Sequence, residues 1–230
     1  MKNIEDICFI ISARLNSTRI PGKMICNFAG TTLMDLGIQK VLKSKIIPKN
    51  NFYCSVYEKE LIKLCEKYDV NIYRRSEKSA NTETSVSEIY EWHKTLTYKF
   101  VVLISACTPL LKVETIDNFV TAYINTQSDG LFGVVGKKQY YWNSKGNMIT
   151  NWPKGYTFMN TKFVEKTFEA AHCMYASKMD IIKDEIWMGK APFSKGNPEL
   201  FEMDQFEVFD IDYPWQFRVG EILFLENTHQ

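Results

Sequence analysis

Two carboxylates set two apart, Asp210 and Asp212 in the stretch EVFDIDYPWQFRVGE (Glu207 to Glu221), stand just ahead of a proline. With Val208 to Ile211 extended, a period of two sends Phe209 and Ile211 to one face and Asp210 and Asp212 to the other, immediately before Pro214 opens a helix. Carboxylates projecting together from a strand end can hold a hard divalent ion, Mg²⁺ or Mn²⁺, through oxygen ligands whose shell a phosphate completes. The plainer reading is a helix-capping Asp212 beside a solvent-facing Asp210. Complementary charges lie near the other end, in SARLNSTRIPGKM (Ser12 to Met24), where Arg14, Arg19 and Lys23 fall within ten positions between two apolar runs. Cations on a loop of small and polar residues match the charge of a polyphosphate; a solvated basic loop is the alternative. A Walker A loop would need glycine where Ser17 stands, and there is no GxGxxG. A basic loop and a metal-holding acidic pair are the parts that neutralise a triphosphate in phosphoryl or nucleotidyl transfer.

Such groups need a scaffold that brings the two ends of the chain together. CFIIS (Cys8 to Ser12) is short, apolar and without alternation, as a central strand buried on both faces should be. TTLMDLGIQKVLKS follows the basic loop with Thr32 and Asp35 at capping-box spacing and apolar residues at helical intervals. The alternation continues through NFYCSVY (strand), EKELIKLCEKYD (helix), VNIYR (strand), SVSEIYEWHKTL (helix, capped at Ser85 toward Glu88) and FVVLIS (strand). This pattern predicts an α/β protein with a doubly wound, mostly parallel sheet, covered on both faces. Ligands of such sheets sit beyond the carboxyl ends of the strands, where SARLNSTRIPGKM emerges.

With 230 residues, 45% of them apolar, the chain can bury one sizeable core, and residues 1–230 are read as a single domain. A formal net charge of +1 gives no polyelectrolyte signal, which disfavours nucleic acid as a partner. The six cysteines lack a CxxC pair or dense spacing and read as reduced thiols. Acidic Glu5 and Asp6, with few apolar residues before Arg14, exclude a signal peptide or membrane span at this end, so a cytoplasmic protein is expected. His93 on a helix, His172 in a helical segment ending at Cys173, and His229 in the tail form no catalytic constellation. Asp180, Asp184 and Glu185 read as a solvated helix face.

The stretch ARLNSTRIPGKM resembles the N-terminal signature of the acylneuraminate cytidylyltransferase family, the CMP-sialic acid synthetases and their relatives. Three further segments stand in that family's order: YRRSEKSANTETS (Tyr73 to Ser85), LISACTPLLK, and VFDIDYPWQFRVGE. The resemblance implies a nucleotide-diphosphosugar transferase-like, Rossmann-like three-layer fold and transfer of CMP from CTP to a sugar acid or related sugar. It places Arg14 and Lys23 on the triphosphate, Arg74 and Ser85 in the cytidine pocket, and Ser17, Arg19 and Asn81 also at the nucleotide. Ser105, Thr108 and Asp210 fall toward the sugar, and Asp210 with Asp212 on Mg²⁺. Arg14, Lys23 and Asp212 would act in the chemistry, Asp212 only as a weak base if it is bound to metal. The chain departs from the sialic acid branch at Ser105, Ala106 and Cys107, at Leu111 and Lys112, at Met24 and at Asn81. Its first loop is nearer to the spore-coat-polysaccharide branch. Residues 133–160, with NSKGN as a turn between two potential strands, are similar to the family's β-rich dimerisation insert, implying a homodimer. On residue type alone Tyr140, Tyr141, Trp142 and Trp152 fit a satellite core under a hairpin equally well. Two rivals remain: a metal-dependent glycosyltransferase of the same fold using a sugar nucleotide, and an inactive nucleotide-binding homologue.

Overall fold

A computed structural model describes the chain apart from residues Ala191, Pro192, Ser194, Lys195, His229 and Gln230, so the reading of His229 as a tail residue lies outside the described residues. The elements run β1 (Ile7–Ser12), α1 (Leu33–Leu42), β2 (Phe52–Val56), α2 (Lys59–Lys67), β3 (Asn71–Arg74), the short α3 (Glu77–Asn81) and α4 (Val86–Ile89), β4 (Phe100–Ile104), α5 (Val113–Asn125), β5 (Leu131–Lys137), β6 (Thr167–Lys178), β7 (Glu199–Glu202) and α6 (Pro214–Thr228). Among the described residues the strands form one seven-stranded sheet in the order β3-β2-β1-β4-β6-β5-β7. It is α/β and mostly parallel; β6 alone runs antiparallel, to both β4 and β5. None of the described helices is long and apolar enough to cross a membrane.

Alternation along β1 builds the layers. Ile7, Phe9 and Ile11 point into one core with Leu33, Ile38, Ile116 and Phe119 from α1 and α5, and with Phe217 and Phe224 of α6 packed against it. Cys8 and Ile10 point into a second, smaller core built on Trp92, Val101, Leu103 and Ile182. A strand apolar at every position is what a sheet covered on both faces requires. The cap on α1 forms as expected, with Thr32 Oγ1 accepting from the Asp35 amide at 3.0 Å. All six cysteines are free thiols.

Several local expectations are corrected. SVSEIYEWHKTL is not one helix: Ser85 caps α4, but the helix stops at Ile89 and a 3-10 turn covers Glu91–Lys94. Tyr90 stacks on Trp92 at 5.2 Å and packs at a tilt on Trp187 at 4.7 Å, and residues two apart on an α-helix cannot share one face. Val208 to Ile211 is a turn and extended coil outside any strand. His172 lies in β6, not a helix, in the left-handed region at φ 52, where the β5–β6 register shifts. Asp180, Asp184 and Glu185 are exposed as expected but lie on a short 3-10 turn and its flanks instead of a helix, and Glu185 also closes the α4 N-terminus by accepting from Ser85 Oγ (2.8 Å) and the Val86 amide (2.7 Å). Residues 133–137 of the expected insert belong to β5, and NSKGN turns at Gly146 (φ 80) between a single bridge, Trp142 with Met148, in place of two strands.

Candidate active site

The carboxyl ends of β1, β2 and β4 meet at one edge, and the basic loop leaves from there. Ala13 N–H extends the ladder to Ser55 O at 3.1 Å, and Leu15 N–H donates to Glu58 Oε1 at 2.6 Å, fastening the loop at its start. Gly22 takes φ 67, a value that costs glycine nothing, and reverses the chain so that Lys23 points inward. Lys23 is 8% exposed, the most enclosed of the three cations. Its ammonium donates to Ile211 O and lies 3.4 Å from Asp212 Oδ1, and Arg19 reaches the same oxygen at 2.9 Å. The two ends of the chain thus meet through charge, as the complementary motifs require.

The cleft beneath the loop has a volume of about 370 Å³ and is lined by Arg14, Ser17, Arg19, Lys23, Glu83 and Cys107, among others. A neighbouring cleft of about 350 Å³ shares Ser12, Ala13, Arg14 and Glu83 and adds Arg75 and Thr82. Arg14 stands between the two, donating to Glu83 Oε1 at 2.7 Å and to Ala80 O at 3.3 Å. Ser17 Oγ accepts from the Ile20 amide at 3.3 Å, and Asn81 Oδ1 accepts from Asn16 Nδ2 at 3.1 Å, bridging the basic loop to α3.

Asp210 is pushed up to about 6, first by burial and then by the charge of Asp212, with Lys23 opposing. A carboxylate whose ionised form is disfavoured, two residues from a second one and beside a basic cleft, is a donor set that a hard cation would suit. No cluster of three or more acidic, histidine or cysteine residues stands there among the described residues, so phosphate oxygens and water would complete the shell. Burial likewise raises the Cys107 thiol in the cleft lining.

Other residues lie elsewhere. Arg74 turns outward to Glu66 at 3.3 Å, and it is the next residue, Arg75, that is buried and lines the second cleft, donating to Ser79 Oγ at 3.1 Å. Ser85 is occupied as a helix cap. Ser105 Oγ accepts from the Cys107 amide (3.1 Å) and Thr108, 2% exposed, donates to Ser105 O (3.2 Å), so both shape the loop after β4 and it is Cys107 that lines the cleft. Arg75, Glu83 and Cys107 lie in segments the sequence singles out but carry no sign of which neighbour faces inward. His172, hydrogen-bonded to Tyr175 at 3.2 Å and close enough for its charge to act on Asp210, has no sequence signal, since its placement depends on the irregularity in β6. If the CTP that the resemblance implies takes this second cleft, Arg75→Ala should weaken its binding about tenfold or more in a calorimetric titration, and Arg74→Ala, which breaks an exposed ion pair worth about 0–1 kcal/mol, should leave it unchanged. The reverse ranking would put the nucleotide elsewhere.

An open, mostly parallel sheet with a basic loop and an acidic pair at its carboxyl edge defines a nucleotide-handling α/β protein. The cytidylyltransferase family pattern matches residues 8–201, and the chain belongs to that family. It is 23% identical to the pseudaminic acid cytidylyltransferase of Campylobacter jejuni over 237 positions, 97% of this chain and 98% of that one. It is 25% identical over 132 residues to the spore coat polysaccharide biosynthesis protein SpsF of Bacillus subtilis, 55% of this chain; the match spans about half of that relative, 53% of its length. In fold it is similar to a CMP:2-keto-3-deoxy-manno-octonic acid synthetase complexed with CTP (TM-score 0.69, 10% identity, 96% of this chain and 99% of that one). A 4-diphosphocytidyl-2C-methyl-D-erythritol synthase from Anaerococcus prevotii is also similar (TM-score 0.67, 14% identity, 96% and 98%).

Proposed function

We propose that this chain transfers CMP from CTP to a sugar acid of the nulosonic type, or to a related sugar, giving a CMP-sugar and pyrophosphate for surface glycan biosynthesis. The observation that carries the reading is that Arg14, Arg19 and Lys23 line one cleft at the sheet edge and that Arg19 and Lys23 tie it to Asp212, whose charge acts on Asp210. The full-length likeness to an enzyme of pseudaminic acid supports the sugar acid, and the likeness to a spore coat polysaccharide protein supports the glycan.

In this reaction a sugar hydroxyl oxygen bonds to the α-phosphorus, the bond to the β-phosphate bridge breaks, and negative charge grows on the departing pyrophosphate. Arg14 and Lys23 stand preorganised to take that charge, and Arg19 and Ser17 line the same wall. Asp210 and Asp212 would hold Mg²⁺, with Mn²⁺ as the alternative, which when bound polarises the α-phosphate and screens the triphosphate. Asp212 is engaged by Arg19 and Lys23, so its part is to hold rather than to deprotonate. The cytidine takes the second cleft, against Arg75 and Thr82. The enzyme works in the cytoplasm, where CTP is held, as a homodimer through the aromatic arm. There Tyr140 packs on Trp152 at 5.5 Å while Trp142 and Trp152 stay 47% and 41% exposed.

Pyrophosphate release from CTP and Mg²⁺ with a panel of 2-keto-3-deoxy sugar acids, other sugars and polyol phosphates tests the reading. Release with at least one acceptor is expected. A requirement for a sugar nucleotide instead would make the chain a glycosyltransferase, and binding without turnover an inactive homologue. CTP should also raise the unfolding temperature more than UTP or purine triphosphates, because a site whose polar groups match the cytosine edge leaves them unpaired with another base. Equal stabilisation by CTP and UTP would remove base recognition from the second cleft.

A further inference from the structure

Beneath the cleft, α1 lies against the loop that leaves β4. A Cβ on Gly37 would stand 2.8 Å from Ala106 Cβ, so only glycine lets the helix come this close. One turn later, on the same helix face, the Lys40 ammonium donates to the carbonyl of Thr108 at 3.1 Å and to that of Pro109. The same loop carries the acidic segment at two points. Cys107 O accepts from the Ile211 amide at 3.0 Å, and the Lys112 amide donates to Glu207 Oε2 at 3.2 Å, with the Lys112 ammonium 3.0 Å from the other oxygen of Glu207. Residues 207–211 are thus laid along residues 107–112 and fastened at both ends, with Asp210 and Asp212 on either side of the Ile211 contact.

We propose that Lys40 is a positioning residue: by holding the Thr108 and Pro109 carbonyls it sets the loop on which the Asp210–Asp212 segment rests, and so places both carboxylates for transfer. Its effect on turnover rests on the cytidylyltransferase reading; its hold on Ile211 does not. Lys40 is partly buried and lines a cleft with Leu36, Pro109, Leu110 and Phe224, where methionine would fill much the same space. Burial works against its charge, pulling the group down to about 7, with the charge of Glu207 opposing. An apolar side chain of like length therefore removes no favourable charge and takes away only the two bonds to the carbonyls, so its effect reads the hold on the loop.

Lys40→Met and Lys40→Arg in the full chain test this. In Lys40→Met, amide hydrogen exchange in peptides covering 105–112 and 209–213 is expected to quicken about fivefold or more, beyond any change in the slowest-exchanging amides of the sheet core, which report global unfolding. Pyrophosphate release should lose about tenfold in kcat with KM for CTP within about twofold. Arginine offers donors to both carbonyls and should restore most of both signals. Unchanged exchange in Lys40→Met, equal defects in the two variants, or kcat kept within about twofold would each overturn the proposal. Should wild type release no pyrophosphate with any acceptor, the reading of function fails, and exchange at Ile211 alone decides whether Lys40 positions the segment.

Discussion

Replacing Lys23 by alanine is expected to lower CTP turnover by about a hundredfold or more, the few kcal/mol that a preorganised cation contributes when charge develops on a leaving group. No other cation lining the basic cleft is as enclosed, so solvent screens the Lys23 charge least. Arg14 and Arg19 are about a third and a half exposed at their side chains, so their charges are screened and their loss should cost less. The substitution also orphans the Ile211 carbonyl and leaves Asp210 and Asp212 facing one another with less compensation, so the variant should fold but unfold about 1–3 kcal/mol more easily. Single-turnover pyrophosphate release beside thermal unfolding separates the two effects. Near-wild-type turnover in a folded variant would take Lys23 out of the mechanism.

The second large effect belongs to the acidic pair. Asp210→Asn and Asp212→Asn should each abolish most Mg²⁺-dependent turnover and the thermal stabilisation that Mg²⁺ brings with CTP, since each removes one of two carboxylates that would share the ion. In metal-free buffer the two part company. Asp210 has its ordinary value of 3.8 raised to about 6 in the fold, so the folded chain keeps this proton where the unfolded chain has lost it. Wild-type stability should therefore fall as pH rises from about 4 to about 6 and level off above, a loss of roughly 3 kcal/mol at most. Asp210→Asn should lack that fall and be the more stable protein at pH 7. Asp212→Asn frees Arg19 and Lys23 but also relieves Asp210 of a like charge, and should unfold close to wild type. Unchanged activity and Mg²⁺ titration in both variants would reduce the pair to a structural turn; a wild-type pH profile for Asp210→Asn would assign the slope to another group.

How far the sequence reaches can be judged at single residues. The first strand, the Thr32 cap and the proline-started α6 were legible because each depends on its own neighbours. The joining of SARLNSTRIPGKM to the DxD segment was legible because opposite charges at one sheet edge must be compensated. What fails is the choice between neighbours. Arg75 N–H pairs with Val56 O, one step beyond β3, so Arg74 and Arg75 take opposite sides of the extended chain, and a pair of arginines reads alike in either phase. The apolar alternation of VFDI fits a strand, yet Glu207 is buried against Lys112 and one backbone bond to Cys107 replaces a ladder, long-range contacts that no local pattern contains. His172 at φ 52 is likewise set by how many residues β6 must fit between two partners.

The antiparallel course of β6 has a thermodynamic consequence for the arm. β5 ends and β6 begins as direct partners, Lys137 opposite Thr167, so residues 138–166 depart from and return to the same place on the sheet. Ordering the sheet then requires only that one loop of this length be closed, and closure entropy grows with the logarithm of length: doubling the arm would cost about 0.6 kcal/mol. Neither shortening nor lengthening it disturbs the strands that carry the cleft. The arm's length and its aromatic surface are therefore free to answer to whatever they touch, while the reaction edge answers to the nucleotide.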